Sequence, residues 1–194
     1  MNLLEIDQQV LYWLNNTFLG ISPLLDDFLV FLGVYLVYAL PVIMLVLWFK
    51  YPQKRVQLAL SFGACLISWF VITKLLVPNF IWFRERPDLG LIGLKEVFFH
   101  RPSYSFPSDH ATALFALTIG LYAFRWKKVG RWFLVYALLI LIPRVIIGIH
   151  YPLDIIGGLG SALIGVTLVK KYEDFFKMKV VEPIIRVLKK VKLA

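Results

Sequence analysis

Five runs of apolar residues divide the chain, each close to the roughly twenty residues a membrane-spanning helix needs. They fall at about 27–49, 56–77, 108–125, 132–149 and 153–169. The first ends at Lys50, Tyr51 and Pro52, the third at Arg125, Trp126, Lys127 and Lys128, and the fifth at Lys170 and Lys171. Ahead of them, Leu3, Leu4, Val10, Leu11, Leu14 and Phe18 recur near helical spacing among Glu5, Asp7, Gln8, Asn15 and Asn16. This pattern predicts an amphipathic helix lying in the interface, or a short first insertion. Residues 20–23 break it. Residues 172–194 alternate apolar and basic positions around Pro183, which predicts a basic amphipathic helix on an anionic membrane surface. The expected fold is all-α: an integral membrane bundle of five transmembrane helices, six if residues 3–19 insert, with amphipathic interfacial helices at both ends.

Composition supports that reading. The hydrophobic fraction is 60% and mean hydropathy is +0.76, well above the roughly 45–50% apolar content of ordinary soluble chains. The net charge of +9 would suit a nucleic-acid partner, but the basic residues sit in short clusters between apolar runs and in the tail. That is how membrane-flanking charges are placed, so no nucleic acid is expected. Fifteen of the twenty-one Lys and Arg fall on one set of connections, namely Lys50, Lys54 and Arg55, then Arg125, Lys127, Lys128 and Arg131, then the tail. The other side carries Arg84, Arg86, Lys95 and Arg101. The positive-inside rule then puts the tail in the cytoplasm and the 78–107 connection outside, in a multi-pass protein of the inner (plasma) membrane. No Lys or Arg occurs in the first 49 residues, so a cleavable signal peptide is not expected. Cys65 is the only cysteine; it excludes an internal disulfide and reads as a small buried hydrophobe.

Three polar pieces interrupt this pattern on the outer side. Residues 143–154 read P-R-V-I-I-G-I-H-Y-P-L-D, with Arg144, His150 and Asp154 in an apolar run. Residues 105–111 read S-F-P-S-D-H-A, and residues 84–87 read R-E-R-P. Ionisable groups at membrane depth are costly and mark function. Pro107 and Pro152 suit first helical turns, so Ser108, Asp109 and His110 are expected to open one span and residues 150–154 another. Two helix N-termini with free amides form an anion site, and Arg86 and Arg144 add guanidinium forks that match phosphate. Two histidines then suit covalent phosphoryl transfer: a nucleophile on one side of phosphorus and a proton donor opposite. His150 and Asp154 are four apart and share a helix face. A carboxylate on one ring nitrogen leaves the other for attack, so His150 is the expected nucleophile, Asp154 its orienter and His110 the acid. No metal-ligand spacing appears and no cofactor is expected. The aromatic connection at 78–107, with Phe80, Trp82, Phe83, Phe98, Phe99, Tyr104 and Phe106, is expected to wall the cluster, with His100 and Arg101 as surface or headgroup contacts.

On these residues the chain resembles the type-2 phosphatidic acid phosphatase superfamily, which also includes vanadium haloperoxidases. The family motifs are K-x6-R-P, P-S-G-H and S-R-x5-H-x3-D. Here they stand as Arg86-Pro87, as P-S-D-H at 107–110, and as Arg144, His150 and Asp154 at the family spacing. Asn79 occupies the strict lysine position, with Lys74 or Arg84 as substitutes; Pro143 replaces the serine and Asp109 the glycine. The wording S-F-P-S-D-H-A resembles the bacitracin-resistance type of undecaprenyl diphosphate phosphatase within that family.

The resemblance implies a phosphohistidine intermediate and a membrane lipid phosphate or diphosphate as substrate, with the bilayer as partner. Undecaprenyl diphosphate is favoured, and phosphatidylglycerophosphate or another phospholipid monoester is the alternative. The expected phosphate-binding set is Arg86, Arg144, Ser108, Asp109 and Lys74. The chain reads as one membrane phosphatase domain over 1–194: an interfacial helix at 1–23, the catalytic bundle at 27–170 and the basic tail at 172–194. A transporter with a buried charge cluster is the reading from a different class; it predicts polar residues along a path through the spans. A haloperoxidase-like oxidant would need vanadate in the same pocket.

Overall fold

The computed structural model describes residues 2–82, 84–90, 92–98, 104–191 and 193. Phe83, Phe99, His100 and Arg101 therefore lie outside the described residues. The N-terminal helix α1 spans Leu3–Phe18 and starts at a reciprocal capping box between Asn2 and Glu5. Two long helices follow: α2 over Pro23–Lys50 and α3 over Pro52–Asn79. Then come α4 (Asp109–Ala123), α5 (Lys127–Ile146) and α6 (Pro152–Lys171). Short turns over Glu173–Phe176 and Lys177–Val181 lead into α7 (Glu182–Lys190). The only pairing between extended segments among the described residues is an isolated bridge between Glu85 and Tyr104. The architecture is all-helical, as the apolar periodicity predicts.

Four helices, α2, α3, α5 and α6, are long and apolar enough to cross a membrane. The third expected span, 108–125, is shorter in the structure. Phe124 caps α4, and Arg125 takes a φ of 68° that breaks the helix. The 15 residues of α4 reach about 22 Å at roughly 1.5 Å per residue, less than the roughly 30 Å hydrocarbon core. This helix packs against α3, α5 and α6 at once. Ala111, Leu114, Ala116, Leu117 and Leu121 are all buried, and a helix apolar on every side belongs inside a bundle.

The outer surface is apolar. Phe31, Tyr38, Val42, Leu45 and Phe49 on α2, Trp132 and Ile142 on α5, and Ile156 and Ile164 on α6 are exposed. Apolar surface this extensive faces lipid in an integral membrane protein. Small residues allow close helix contact within the bundle. A Cβ at Gly158 of α6 would stand 2.6 Å from the Ala111 Cβ and 2.9 Å from the Thr112 nitrogen of α4.

The N-terminal helix is amphipathic, as its sequence predicts, but two of its polar residues, Asp7 and Asn15, turn inward with Leu11 while Glu5, Gln8 and Asn16 stay exposed. Asp7, Leu11 and Asn15 form the buried stripe, while Leu3, Leu4, Ile6, Val10 and Trp13 point outward. It packs across the ends of α5 and α6. Asn15 fastens it by donating to the Ile146 and Lys95 carbonyls at 3.1 and 3.2 Å.

Candidate active site

The chain turns sharply between α5 and α6. Gly148 adopts a φ of 77°, a left-handed conformation that favours glycine, and His150 follows two residues later, 1% exposed. Pro152 is the first residue of α6 and Tyr151 its N-cap, so His150 precedes the helix instead of lying on it. The pairing expected from the four-residue spacing still forms, by a different route. Asp154 occupies the third helical position, where its Oδ2 accepts the Tyr151 N–H at 2.8 Å. This capping geometry turns the carboxylate back toward His150, and Oδ2 stands 3.3 Å from the imidazole Nδ1.

Ser105 completes the cluster. Its hydroxyl donates to Asp154 Oδ2 and lies 3.3 Å from His150 Nδ1. The sequence placed Ser105 beside the P-S-D-H segment but gave it no role. What brings it in is the pairing of the two loop segments: the Ser105 N–H donates to the Arg84 carbonyl at 2.8 Å, beside the Glu85–Tyr104 bridge.

On the far side of the ring, Arg86 Nη1 is 3.3 Å from His150 Nε2 and donates to the Ile149 carbonyl at 3.0 Å. A guanidinium has donors only. A hydrogen bond across this contact would need a lone pair on Nε2, and in the neutral ring that places the proton on Nδ1, toward Ser105 and Asp154. Burial draws the Arg86 guanidinium below its usual range, opposed by the charges of Asp109 and Asp154.

The second helix start lies alongside. Ser108 is the N-cap of α4 and its hydroxyl accepts the Ala111 N–H at 3.4 Å. Pro107 thus stands one residue outside the helix, where the sequence suggested its first turn; the cap position goes to the serine because its side-chain oxygen can satisfy a free amide. The Ser108 N–H donates to the Asp154 carbonyl at 3.0 Å. His110, half-buried, occupies the second position of α4.

The remaining expected residues divide. Arg144, buried in the last turn of α5, donates from Nη1 to the Gly33 carbonyl of α2 at 2.5 Å, and its charge is felt by those of Arg86 and Asp109. Its Nε is buried with no hydrogen-bond partner among the described residues. Lys74 and Asp109 pair with each other at 2.5 Å on the exposed rim. A cavity of about 170 Å³ opens beside them, lined by Thr73, Lys74, Asn79, Tyr104, Phe106 and Asp109. A larger cavity of about 330 Å³, near Leu47, Trp126 and Trp132, lies at the opposite end of the bundle and away from every charged group named here except through Lys128 at its edge. The aromatic wall is present in part: the Trp82 and Phe106 rings are 4.8 Å apart, and Phe106 fills the space a side chain at Gly157 would need.

Arg84 is committed elsewhere than the vacant lysine position. Its Nη1 is 2.6 Å from Asp7 Oδ2 and 3.6 Å from Asp154 Oδ1, and its guanidinium carbon lies 3.5 Å from the centre of the Tyr151 ring. Burial raises the Tyr151 phenol, with Arg84 working against that rise. Among the described residues no group of three or more His, Cys, Asp or Glu is arranged to hold a metal ion.

Comparison with known proteins places this geometry. The chain is 31% identical over 157 residues to undecaprenyl-diphosphatase BcrC of Bacillus subtilis, covering 80% of this chain and 79% of that protein. It is 30% identical over 145 residues to a Bacillus licheniformis protein named bacitracin transport permease protein BcrC, covering 74% and 68%. The crystal structure of Aquifex aeolicus LpxE shares the fold, with a TM-score of 0.65 at 24% identity over 86% of this chain and 96% of that one. A family model matches residues 56–176, which contain the paired helix starts, both histidines and the three arginines of the site, and the chain belongs to the PAP2 superfamily.

Proposed function

We propose that the protein is a lipid phosphatase that works through a phosphohistidine, with undecaprenyl diphosphate as its substrate. The observation that carries this reading is the environment of His150. Nδ1 faces Ser105 and Asp154, and Nε2 faces a guanidinium, the arrangement that suits a proton on Nδ1 and a lone pair on Nε2. A phosphate displacing the Arg86 contact would meet the lone pair of a held, neutral imidazole. Nε2 attacks phosphorus and the bond to the leaving oxygen breaks. His110, at the start of the neighbouring helix, gives that oxygen its proton. Water then cleaves the phosphorus–nitrogen bond, with His110 as base, releasing inorganic phosphate. Asp154 compensates the charge the ring gains while phosphorylated. The Arg144 Nε, buried without a partner among the described residues, the Ser108 cap and the Asp109 amide supply donors for the equatorial oxygens, and Lys74 stands at the rim.

The substrate assignment is supported by the named diphosphatase relative and by the lipid-facing surface. The positive-inside count supports an outward-facing site and a cytoplasmic tail. With α4 counted among the spans the bundle has five, which agrees with that orientation. Phosphatidylglycerophosphate and other phospholipid monoesters are the competing substrates.

The permease name of one relative raises the transport reading. Among the described residues, the buried ionisable side chains Asp7, Arg144, His150 and Asp154 all lie at one end of the bundle. Deeper hydroxyls, Ser61, Ser68 and Thr118, donate to carbonyls of their own helices. That arrangement suits a reaction at one face.

The test is phosphate release by purified protein, with chelator present, from undecaprenyl diphosphate, phosphatidylglycerophosphate, phosphatidate and lipid A. Release from the diphosphate, lost in His150→Ala at unchanged Tm, is the expected result. Substantial turnover in His150→Ala removes the covalent mechanism.

A further inference from the structure

We propose that Asp7, on the N-terminal helix, is a positioning residue of the site: by neutralising Arg84 it keeps the Asp154 carboxylate available to His150. The assignment rests on the reading of His150 as nucleophile. Asp7 is 3% exposed and uses both carboxylate oxygens. Oδ2 accepts from Arg84 at 2.6 Å, and Oδ1 accepts the Leu153 N–H at 2.8 Å. That amide belongs to the first turn of α6, where a carboxylate is favoured by the helix dipole. The same Arg84 nitrogen stands 3.6 Å from Asp154 Oδ1. Two buried carboxylates thus share one guanidinium, and the second of them holds the imidazole.

A role confined to fastening α1 does not require this charge. Leu11 is fully buried, and Asn15 already ties the helix to Ile146 and Lys95. A buried carboxylate is costly unless it is paired, so its retention beside Arg84 points to an electrostatic purpose. Without Asp7, the Arg84 charge would act on Asp154 alone and make the pocket more positive. Around His150 the other charged or titratable groups are Asp154 from α6, Arg84 and Arg86 from the loop, Arg144 from α5, and Asp109 and His110 from α4. An added net positive charge there disfavours both the imidazolium and the cationic phosphohistidine.

The test follows the His150 ring directly. The chain has three histidines, so ¹⁵N-histidine NMR of the detergent-solubilised protein is tractable, with His150→Ala identifying the signal. Asp7→Asn retains an acceptor for the Leu153 amide and removes the charge. It should lower the His150 titration midpoint by about one pH unit, and reduce kcat about tenfold at unchanged KM. Arg84→Gln should raise the midpoint, and the double variant should return it toward the wild-type value. A docking role alone would leave the midpoint in place and make the double variant the worst of the three. An unmoved midpoint in Asp7→Asn overturns the proposal; if that variant does not fold, an unmoved midpoint in Arg84→Gln does so. Midpoints that move as expected in a protein that releases no phosphate from any lipid would sink the phosphatase reading and leave the Asp7 assignment standing.

Discussion

The backbone N–H of Ser108 donates to the backbone carbonyl of Asp154 at 3.0 Å, joining the starts of two helices separated by about 45 residues of chain. One start carries His110 and the other is preceded by His150, so this bond fixes the two imidazoles at one end of the bundle. It is possible because Gly158, nearly two turns into α6, lets α4 approach to van der Waals contact.

Gly158→Ala should therefore act on stability and on the site together. Its Cβ would meet the Ala111 Cβ at 2.6 Å and the Ser108 carbonyl at 3.0 Å. Overpacking of this kind costs about 1–3 kcal/mol, visible as a lower Tm in detergent. Phosphate release should fall further than the folded fraction does. Beyond its chain neighbours and its own helix backbone, Gly160 has no atom of the described residues within 4 Å of an added Cβ, so Gly160→Ala should stay within about 0.5 kcal/mol of wild type. Equal effects at both positions would mean that the helix contact is not what holds the site.

Ser105→Ala removes one of the two groups at Nδ1 and one of the bonds to Asp154. Loss of a buried hydrogen bond to a charged partner is worth about 1.5–3 kcal/mol, which corresponds to a kcat lower by roughly ten- to a hundredfold. KM should change little, because the hydroxyl faces the orienting carboxylate and not the phosphate. Asp154→Asn should cost more, about a thousandfold, since an amide can favour the wrong tautomer. Steady-state kinetics on one lipid substrate separates the two.

These contrasts show where the sequence was legible. The spacing of Arg144, His150 and Asp154 announced a pairing that the structure forms, although through a capped turn in place of a helix face. Residues 107–110 were readable as a helix start, although the cap falls on Ser108 and leaves Pro107 outside. Ser105 was not readable, because its role depends on the 84–86 and 104–105 segments pairing across a long loop. Asp7 was hidden for a related reason. The exposed surface of α1 mixes polar and apolar residues, and the buried stripe of Asp7, Leu11 and Asn15 is mixed as well, so periodicity alone does not say which side meets the protein. The length of α4 was overestimated because Phe124 continues the apolar run after the helix has ended, and Arg125 already sits in the turn.

Arg86→Lys should fail to replace the arginine. The guanidinium serves the Ile149 carbonyl and His150 Nε2 from one planar group, and an ammonium is a point charge without that fork. A loss of at least about a hundredfold in kcat/KM is expected for both Arg86→Lys and Arg86→Ala. Vanadate, which mimics pentacoordinate phosphorus, should inhibit wild type and lose potency in both variants. Recovery by lysine would mean that charge alone suffices at this position.

The rim pair gives a prediction whose sign is opposite at its two ends. Lys74 and Asp109 hold each other at 2.5 Å with side chains 46% and 31% exposed, so the pair is worth little to stability. Both face the cavity through which an anionic headgroup would approach. Lys74→Met removes an attraction and leaves Asp109 uncompensated, which should raise KM. Asp109→Asn removes a repulsion and frees the ammonium, which should lower it. Each change should be about threefold at low ionic strength and shrink at a salt concentration of about 0.5 M, where screening acts within a few ångströms. The kcat should stay near wild type in both, since the two side chains pair with each other at the rim. A fall in kcat for Asp109→Asn would move this carboxylate from the entrance into the reaction itself. KM values shifting in the same direction would mean that the two groups act as a structural latch, and that the field they present to the substrate is irrelevant.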